Sequence, residues 1–157
     1  MSDEIAYLTP EGKVALEKEL DELVNVKRRA LAERLHFAIK QGDLSENADY
    51  QAAKEEQAFL EGRVLEVKEL LRNAVLIEKS DQDDGKVRLG SVITVLEEGF
   101  DDEETYYLVG QAEADPTKGR ISHVSPLGKA LLGRVAGDRV SVAAPAGEIR
   151  FKIIDVN

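Results

Sequence analysis

The chain has 157 residues, 43% hydrophobic and 33% charged, enough for one ordinary globular domain or two small ones and too few for a large enzyme core. A formal net charge of −10 repels a phosphate backbone at long range, and 5% aromatic content without tryptophan poorly supplies a stacking platform for single-stranded nucleic acid, so a basic protein surface is the expected partner. The absence of cysteine removes disulfides, thiolate catalysis and sulfur-ligated zinc.

Met1 to Ile5 is polar and acidic, unlike a secretory leader, and no apolar run approaches the ~18 residues of a membrane span, so a soluble cytoplasmic protein with no membrane partner is expected. From Thr9 the signals turn helical: Thr9 suits an N-cap, Pro10 the first helical position, and no proline follows until well past Gln41. Apolar residues recur at Leu16, Leu20 and Leu23 and again, past Lys27, at Leu31, Leu35 and Ala38, a stripe along one helix face. After Gly42 a second stripe runs through Ala53, Gln57, Leu60, Val64, Val67, Leu71 and Ala74 in alternating steps of four and three, the heptad alternation. Two such helices joined by a few residues predict an antiparallel helical hairpin, about 45 Å long for ~30 residues at 1.5 Å rise.

Beyond the hairpin the pattern becomes β-rich, with strands predicted in 74–79, 90–98, 105–110, 120–125, 139–145 and 148–156. A short helix is predicted from about Ser125 to Leu132, opened by Pro126 and closed by Gly133, with Leu127, Leu131 and Leu132 in the core. The fold class is therefore α+β: a hairpin arm over residues 1–78 with an acidic tip at 42–50, then a small sheet-plus-helix domain over 79–157. Acidic residues outnumber basic ones 17 to 11 in the first part and 14 to 10 in the second, so neither half is basic.

The tip reads "GDLSENADY". Asp43 and Glu46, three apart ahead of a helical run, match a capping box that satisfies backbone N–H groups and the helix dipole; Ser45 offers a second N-cap. The same two carboxylates, at the far end of an arm that no other part of the chain reaches, are equally placed to enter another protein's cavity. Oxygen ligands of this kind suit Mg²⁺, though two alone hold it weakly. Asn47 is placed to hold the turn by side-chain to backbone bonds, and Tyr50 to pack against Leu44. The two histidines, His36 and His123, have no ligand cluster around them.

The segments "LTPEGKVALEKELDEL", "GDLSENADYQAAKEEQ", "EGRVLEVKELLRNAVLIE" and "SPLGKALLG" together resemble the bacterial Gre transcript-cleavage factors, most like the GreA type, through essentially the whole chain. Every fixed position of the tip motif is filled, by Gly42, Asp43, Leu44, Glu46, Asn47, Ala48 and Tyr50. The resemblance implies a monomeric accessory factor, not itself an enzyme, with a coiled-coil arm and a second domain similar to the FK506-binding-protein fold. It implies that the arm enters the secondary channel of RNA polymerase and reaches the extruded 3′ end of the nascent RNA in a backtracked complex. There Asp43 and Glu46 would help secure a loosely held Mg²⁺ of the polymerase's active centre, with no cofactor bound tightly by the free chain. Lys54, with Arg34 and Lys40 as further candidates, would contact the extruded RNA, and Ser125 and Pro126 would dock on the polymerase at the channel rim. Two positions depart from the family pattern: Ile39, where members can carry arginine, and Val124, often polar. The first argues against a large basic RNA patch.

Two other functions compete. An inhibitory paralogue would keep the arm and change the tip, whereas Asp43 and Glu46 are intact. A prolyl isomerase would need an aromatic pocket, for which the second domain offers only Phe100, Tyr106, Tyr107 and Phe151.

Overall fold

A computed structural model describes residues 5–43, 46–77 and 84–157. The chain separates into two compact units, Lys13–Asn73 on one hand and Met1–Gly12 with Ala74–Asn157 on the other. The expected boundary between residues 78 and 79 lies outside the described residues.

The first unit is a helical hairpin. Helix α1 (Pro10–Glu22) runs without a break through a π-helical turn (Leu23–Lys27) into α2 (Arg28–Lys40), and α3 (Ala48–Arg72) returns. Thr9 caps α1 as expected, its Oγ1 accepting from the Gly12 N–H at 3.0 Å. The π turn explains the gap in the apolar stripe. Leu23 and Leu31 are eight residues apart, and an uninterrupted α-helix would rotate the second roughly 80° away from the first. A π turn takes up one extra residue, and both leucines are buried.

The hairpin core is one residue wide: Leu16, Leu23, Leu31 and Ala38 from the first strand of helix, Ala53, Val64 and Val67 from α3. Ala38 and Ala53 are the buried residues nearest the tip, and small side chains there let two helices approach closely. Ion pairs flank the stripe: Arg28 with Glu61 at 2.8 Å, Arg34 with Glu56 at 2.6 Å and Arg63 with Glu19 at 2.7 Å. The hydrogen bond from Arg63 holds the Glu19 carboxyl below its ordinary range, and the bonds that Arg28 donates to Glu61 raise Arg28. Ala74, the expected last member of the α3 stripe, lies outside the helix: α3 stops at Arg72 and Ala74 opens a strand.

In the second unit, β1 (Ala6–Leu8) pairs in parallel with β2 (Ala74–Leu76). Strand β1 was not foreseen, being three residues long in a segment that reads as a lead-in to the helix. The remaining strands, β3 (Val92–Glu97), β4 (Glu103–Val109), β5 (Arg120–Ser122), β6 (Arg139–Ala144) and β7 (Gly147–Val156), form one sheet in the order β5-β4-β3-β7-β6. All neighbours are antiparallel except β4 and β5. Alternation along the strands sends Ile93, Val95, Leu108, Val140, Phe151 and Ile153 into one core with Val87, Ile121 and Leu131.

Helix α4 (Pro126–Leu131) supplies Leu131, wholly buried, and Leu127, packed at the core's edge. Leu132, expected in the core, is 46% exposed: it is the C-cap, with an extended ψ of 128° that leaves the helical register.

Two features secure the entry to α1 within this unit. The Glu113 carboxylate accepts from the Thr9 N–H at 2.7 Å and from the Thr9 hydroxyl at 2.5 Å, and faces Arg120 at 3.5 Å. Gly110 lies so close to β1 that a Cβ there would stand 1.8 Å from the Tyr7 carbonyl oxygen. Only glycine fits.

Candidate functional site at the hairpin tip

Helix α2 ends where Gln41 and Gly42 donate back to the carbonyls of Ala38 and Ile39 at 3.1 and 3.4 Å. Gly42 adopts a φ of 105°, a conformation that side chains of L-residues rarely reach, which makes it a helix-terminating glycine. The chain then passes Asp43 and Glu46, both exposed, before α3 begins at Ala48. Leu44 lies outside the described residues, as do Ser45 and the expected packing of Tyr50 on Leu44.

The capping-box assignment of Asp43 and Glu46 is corrected: the N-cap of α3 is Asn47, in extended conformation, whose Oδ1 accepts from the Tyr50 N–H at 3.0 Å. The helix starts five residues after Asp43, beyond the reach of a box built on it. Asn47 also uses its other end, Nδ2 donating to the Ala38 carbonyl of α2 at 2.8 Å. One amide thus ties the start of one helix to the end of the other. Asn47 is half-buried between the helices and Glu46 beside it is exposed. The sequence pointed to a turn-holding role for Asn47 but not to its partner, because a bond from residue 47 to residue 38 depends on the hairpin being closed.

The tip offers carboxylate oxygens, the donors Mg²⁺ prefers. Among the described residues no group of three or more His, Cys, Asp or Glu side chains gathers to hold an ion. Asp43 and Glu46 have the donor chemistry of a magnesium shell, but two carboxylates are too few to complete one. Of the basic candidates, Arg34 is engaged with Glu56 across the hairpin, Lys54 is exposed and reaches Gln57 Oε1 at 3.3 Å, and Lys40 is exposed at the end of α2.

Ser125 and Pro126 lie at the start of α4. The Ser125 hydroxyl caps that helix, accepting from the Gly128 N–H at 3.0 Å, and donates to the Ser122 carbonyl at 2.6 Å; Pro126 is exposed in the first helical position. Of the four aromatics that a proline pocket would need, Phe100 and Phe151 line one groove while Tyr106 and Tyr107 stand outside it. Arg120 lies over the Tyr107 ring, 5.6 Å from its centre. His123 makes an edge contact with Tyr7 at 5.5 Å and His36 is exposed on α2. No helix among the described residues is long and apolar enough to cross a membrane.

Residues 6–76 match the family described as Transcription elongation factor, N-terminal, and residues 82–157 that described as Transcription elongation factor, GreA/GreB, C-term. Similar curated proteins include the transcription elongation factor GreA of Roseiflexus sp. (strain RS-1), 46% identical over 156 residues, and that of Bacillus cytotoxicus, 47% identical over 157 residues, each match covering 99% of both chains. Among solved structures, the GreA factor homolog 1 (Gfh1) of Thermus thermophilus is 29% identical, covering 98% of this chain and 99% of that one with a TM-score of 0.44. With both parts of the chain matched and close to half of its residues shared across its full length, this protein belongs to the GreA/GreB family of transcription elongation factors.

Proposed function

We propose that this transcription elongation factor inserts its hairpin into the secondary channel of bacterial RNA polymerase and stimulates the polymerase's own cleavage of the 3′ end of backtracked RNA, rescuing arrested complexes. The observation that carries the reading is the placing of Asp43 and Glu46, exposed beside a turn held by Asn47, at the end of a helix of 25 residues, about 38 Å long. A carboxylate pair so presented cannot serve a site in its own hairpin and suits one in a narrow cavity of another protein. We read the hairpin as an antiparallel coiled coil, on the heptad spacing of α3, and the sheet with α4 as similar to the FK506-binding-protein fold.

In this reading Asp43 and Glu46 add oxygen ligands to those of the polymerase. With the polymerase's own ligands they would hold a Mg²⁺ ion, which when bound would supply water activation and charge stabilisation for phosphoryl transfer. Asn47 keeps the tip from reorganising as it enters, and Lys54 and Lys40 approach the extruded RNA. Ser125 organises the start of α4 so that Pro126 is displayed to the polymerase rim. The chain contributes part of an active site and catalyses nothing alone, which places its action in the cytoplasm with the polymerase.

The test is a backtracked polymerase complex carrying labelled RNA. Addition of this protein should release short 3′ fragments, and the Asp43→Asn, Glu46→Gln double variant should bind polymerase without doing so. Cleavage by that variant at the unaltered rate would rule out the role given to the tip.

A further inference from the structure

Two of the cross-helix ion pairs of the hairpin, Glu19–Arg63 and Arg34–Glu56, leave a gap between them. Glu56 and Arg63 are seven residues apart on α3. Phe59 falls between them, three residues from one and four from the other, on the same face of the helix. A third charged partner would complete the series there; the chain has instead a phenylalanine that is 75% exposed. Phe59 walls a groove of about 440 Å³, with Lys27 and Ala30 on the opposite helix and the buried Leu23 and Leu31 beneath.

Because the hairpin core is one residue wide, its leucine stripe borders this flank directly and gives the groove an apolar floor. The π turn supplies Leu23 and Lys27, and such turns frequently mark functional sites. Lys27 lies within electrostatic reach of Glu19 but makes no ion pair among the described residues, whereas Arg34 is held by Glu56. An aromatic wall, an apolar floor and one unpaired cation at the rim suit an apolar side chain of a protein with a carboxylate beside it.

We propose that this groove anchors the arm in RNA polymerase: an apolar side chain of the channel wall seats between Phe59 and Ala30, and a carboxylate next to it meets Lys27. The inference rests on the insertion of the hairpin proposed above and names a second contact with the same partner. The occupant follows from the position of the groove along the arm. Phe59 comes eleven residues after Ala48, about 17 Å behind the start of a helix about 38 Å long. A cavity deep enough to receive the tip at the far end of that helix encloses this part of the arm as well. RNA is disfavoured as the occupant, since a single unpaired cation neutralises too little of a phosphate backbone.

The experiment measures binding of the full chain to RNA polymerase and, in parallel, cleavage of labelled RNA in backtracked complexes over a concentration series. Phe59→Ser should weaken binding about tenfold, the scale for an aromatic anchor, and shift the cleavage curve to higher concentration by the same factor. Cleavage at saturation should stay at the unaltered rate. Ala30→Glu, at an exposed position that fills the groove with an acid, should do the same, and it decides the matter if the melting curve of Phe59→Ser shows a damaged hairpin. Lys27→Glu should weaken binding severalfold at about 0.05 M salt and less at about 0.5 M. The Asp43→Asn, Glu46→Gln chain should bind as tightly as the unaltered one, so a failure of the tip reading shows in cleavage and a failure of the anchor shows in binding. Unchanged affinity in both Phe59→Ser and Ala30→Glu overturns the proposal. So does a fall in saturating cleavage at unchanged affinity, which would assign the groove to the RNA, or self-association of the free chain that Phe59→Ser abolishes, which would assign it to a second copy.

Discussion

The hairpin and the sheet unit hold themselves together by different means. The hairpin buries a stripe of single residues, including two alanines near its tip, and lines that stripe with partly exposed ion pairs. The sheet unit gathers nine buried residues from five strands, one helix and the segment before β3 into one cluster, and several of them are wholly buried. The candidate site belongs to the thinner structure. Its geometry rests on local devices, a glycine at positive φ and one bridging asparagine, and owes little to a deep core. A tip shaped in this way can change its chemistry without cost to the fold, and a core side chain in the sheet unit cannot change without cost to stability.

The strongest challenge to that contrast is the double variant Asp43→Asn, Glu46→Gln. Transcript cleavage should fall by about 10²–10³-fold, the scale for removing groups that stabilise a transition state, while the melting temperature of the free protein stays put, exposed substitutions being nearly neutral. A parallel loss of stability would mean that the carboxylates serve the fold after all.

Next in size is a pair of core truncations. Leu131→Ala, at a wholly buried site in the sheet unit, should destabilise that unit by about 3–5 kcal/mol, whereas Leu31→Ala in the narrow hairpin stripe should cost about 2–3 kcal/mol. Hydrogen exchange read separately for each unit distinguishes them. Equal costs would dissolve the comparison.

Asn47→Ala removes a helix cap, and about 1 kcal/mol with it, and also cuts the tie to Ala38. Cleavage should drop by more than the loss of folded protein explains. Asn47→Asp sharpens the point, because its carboxylate can still accept from the Tyr50 N–H but cannot donate to the Ala38 carbonyl. It should retain most of the stability and lose part of the activity.

The smallest effect concerns the Glu19–Arg63 pair. Because the guanidinium lowers the Glu19 carboxyl from its ordinary 4.5, the pair adds stability above that value and loses it as pH falls through the lowered value. Both side chains are more than a third exposed, so solvent screening keeps the contribution within about 0.2–1 kcal/mol. Glu19→Gln should flatten the acid limb of hairpin unfolding, and an unchanged limb would show that the pair contributes nothing.

Most of this architecture was legible in the sequence because its signals are local. Thr9-Pro10, the two apolar stripes, Gly42 and the alternating segments after residue 90 each carry their own periodicity or cap, and each became the expected element. The heptad alternation even named the buried residues Ala53, Val64 and Val67 of α3. The tip as a candidate site was legible too, since exposed carboxylates between two stripes have nowhere inside the hairpin to go.

What only the tertiary structure decided depends on residues distant in the chain. The cap of α3 moved from Asp43 to Asn47, whose side chain bonds both helices once they are closed against each other. Leu132 lost its place in the core to the turn that ends α4. Strand β1 exists because β2 pairs with it and Gly110 makes room for it, and Glu113 joins Thr9 from more than a hundred residues away. Periodicity records which face of an element is buried; it holds no information about which distant backbone group, carboxylate or glycine will stand opposite, and at those positions the fold itself makes the choice.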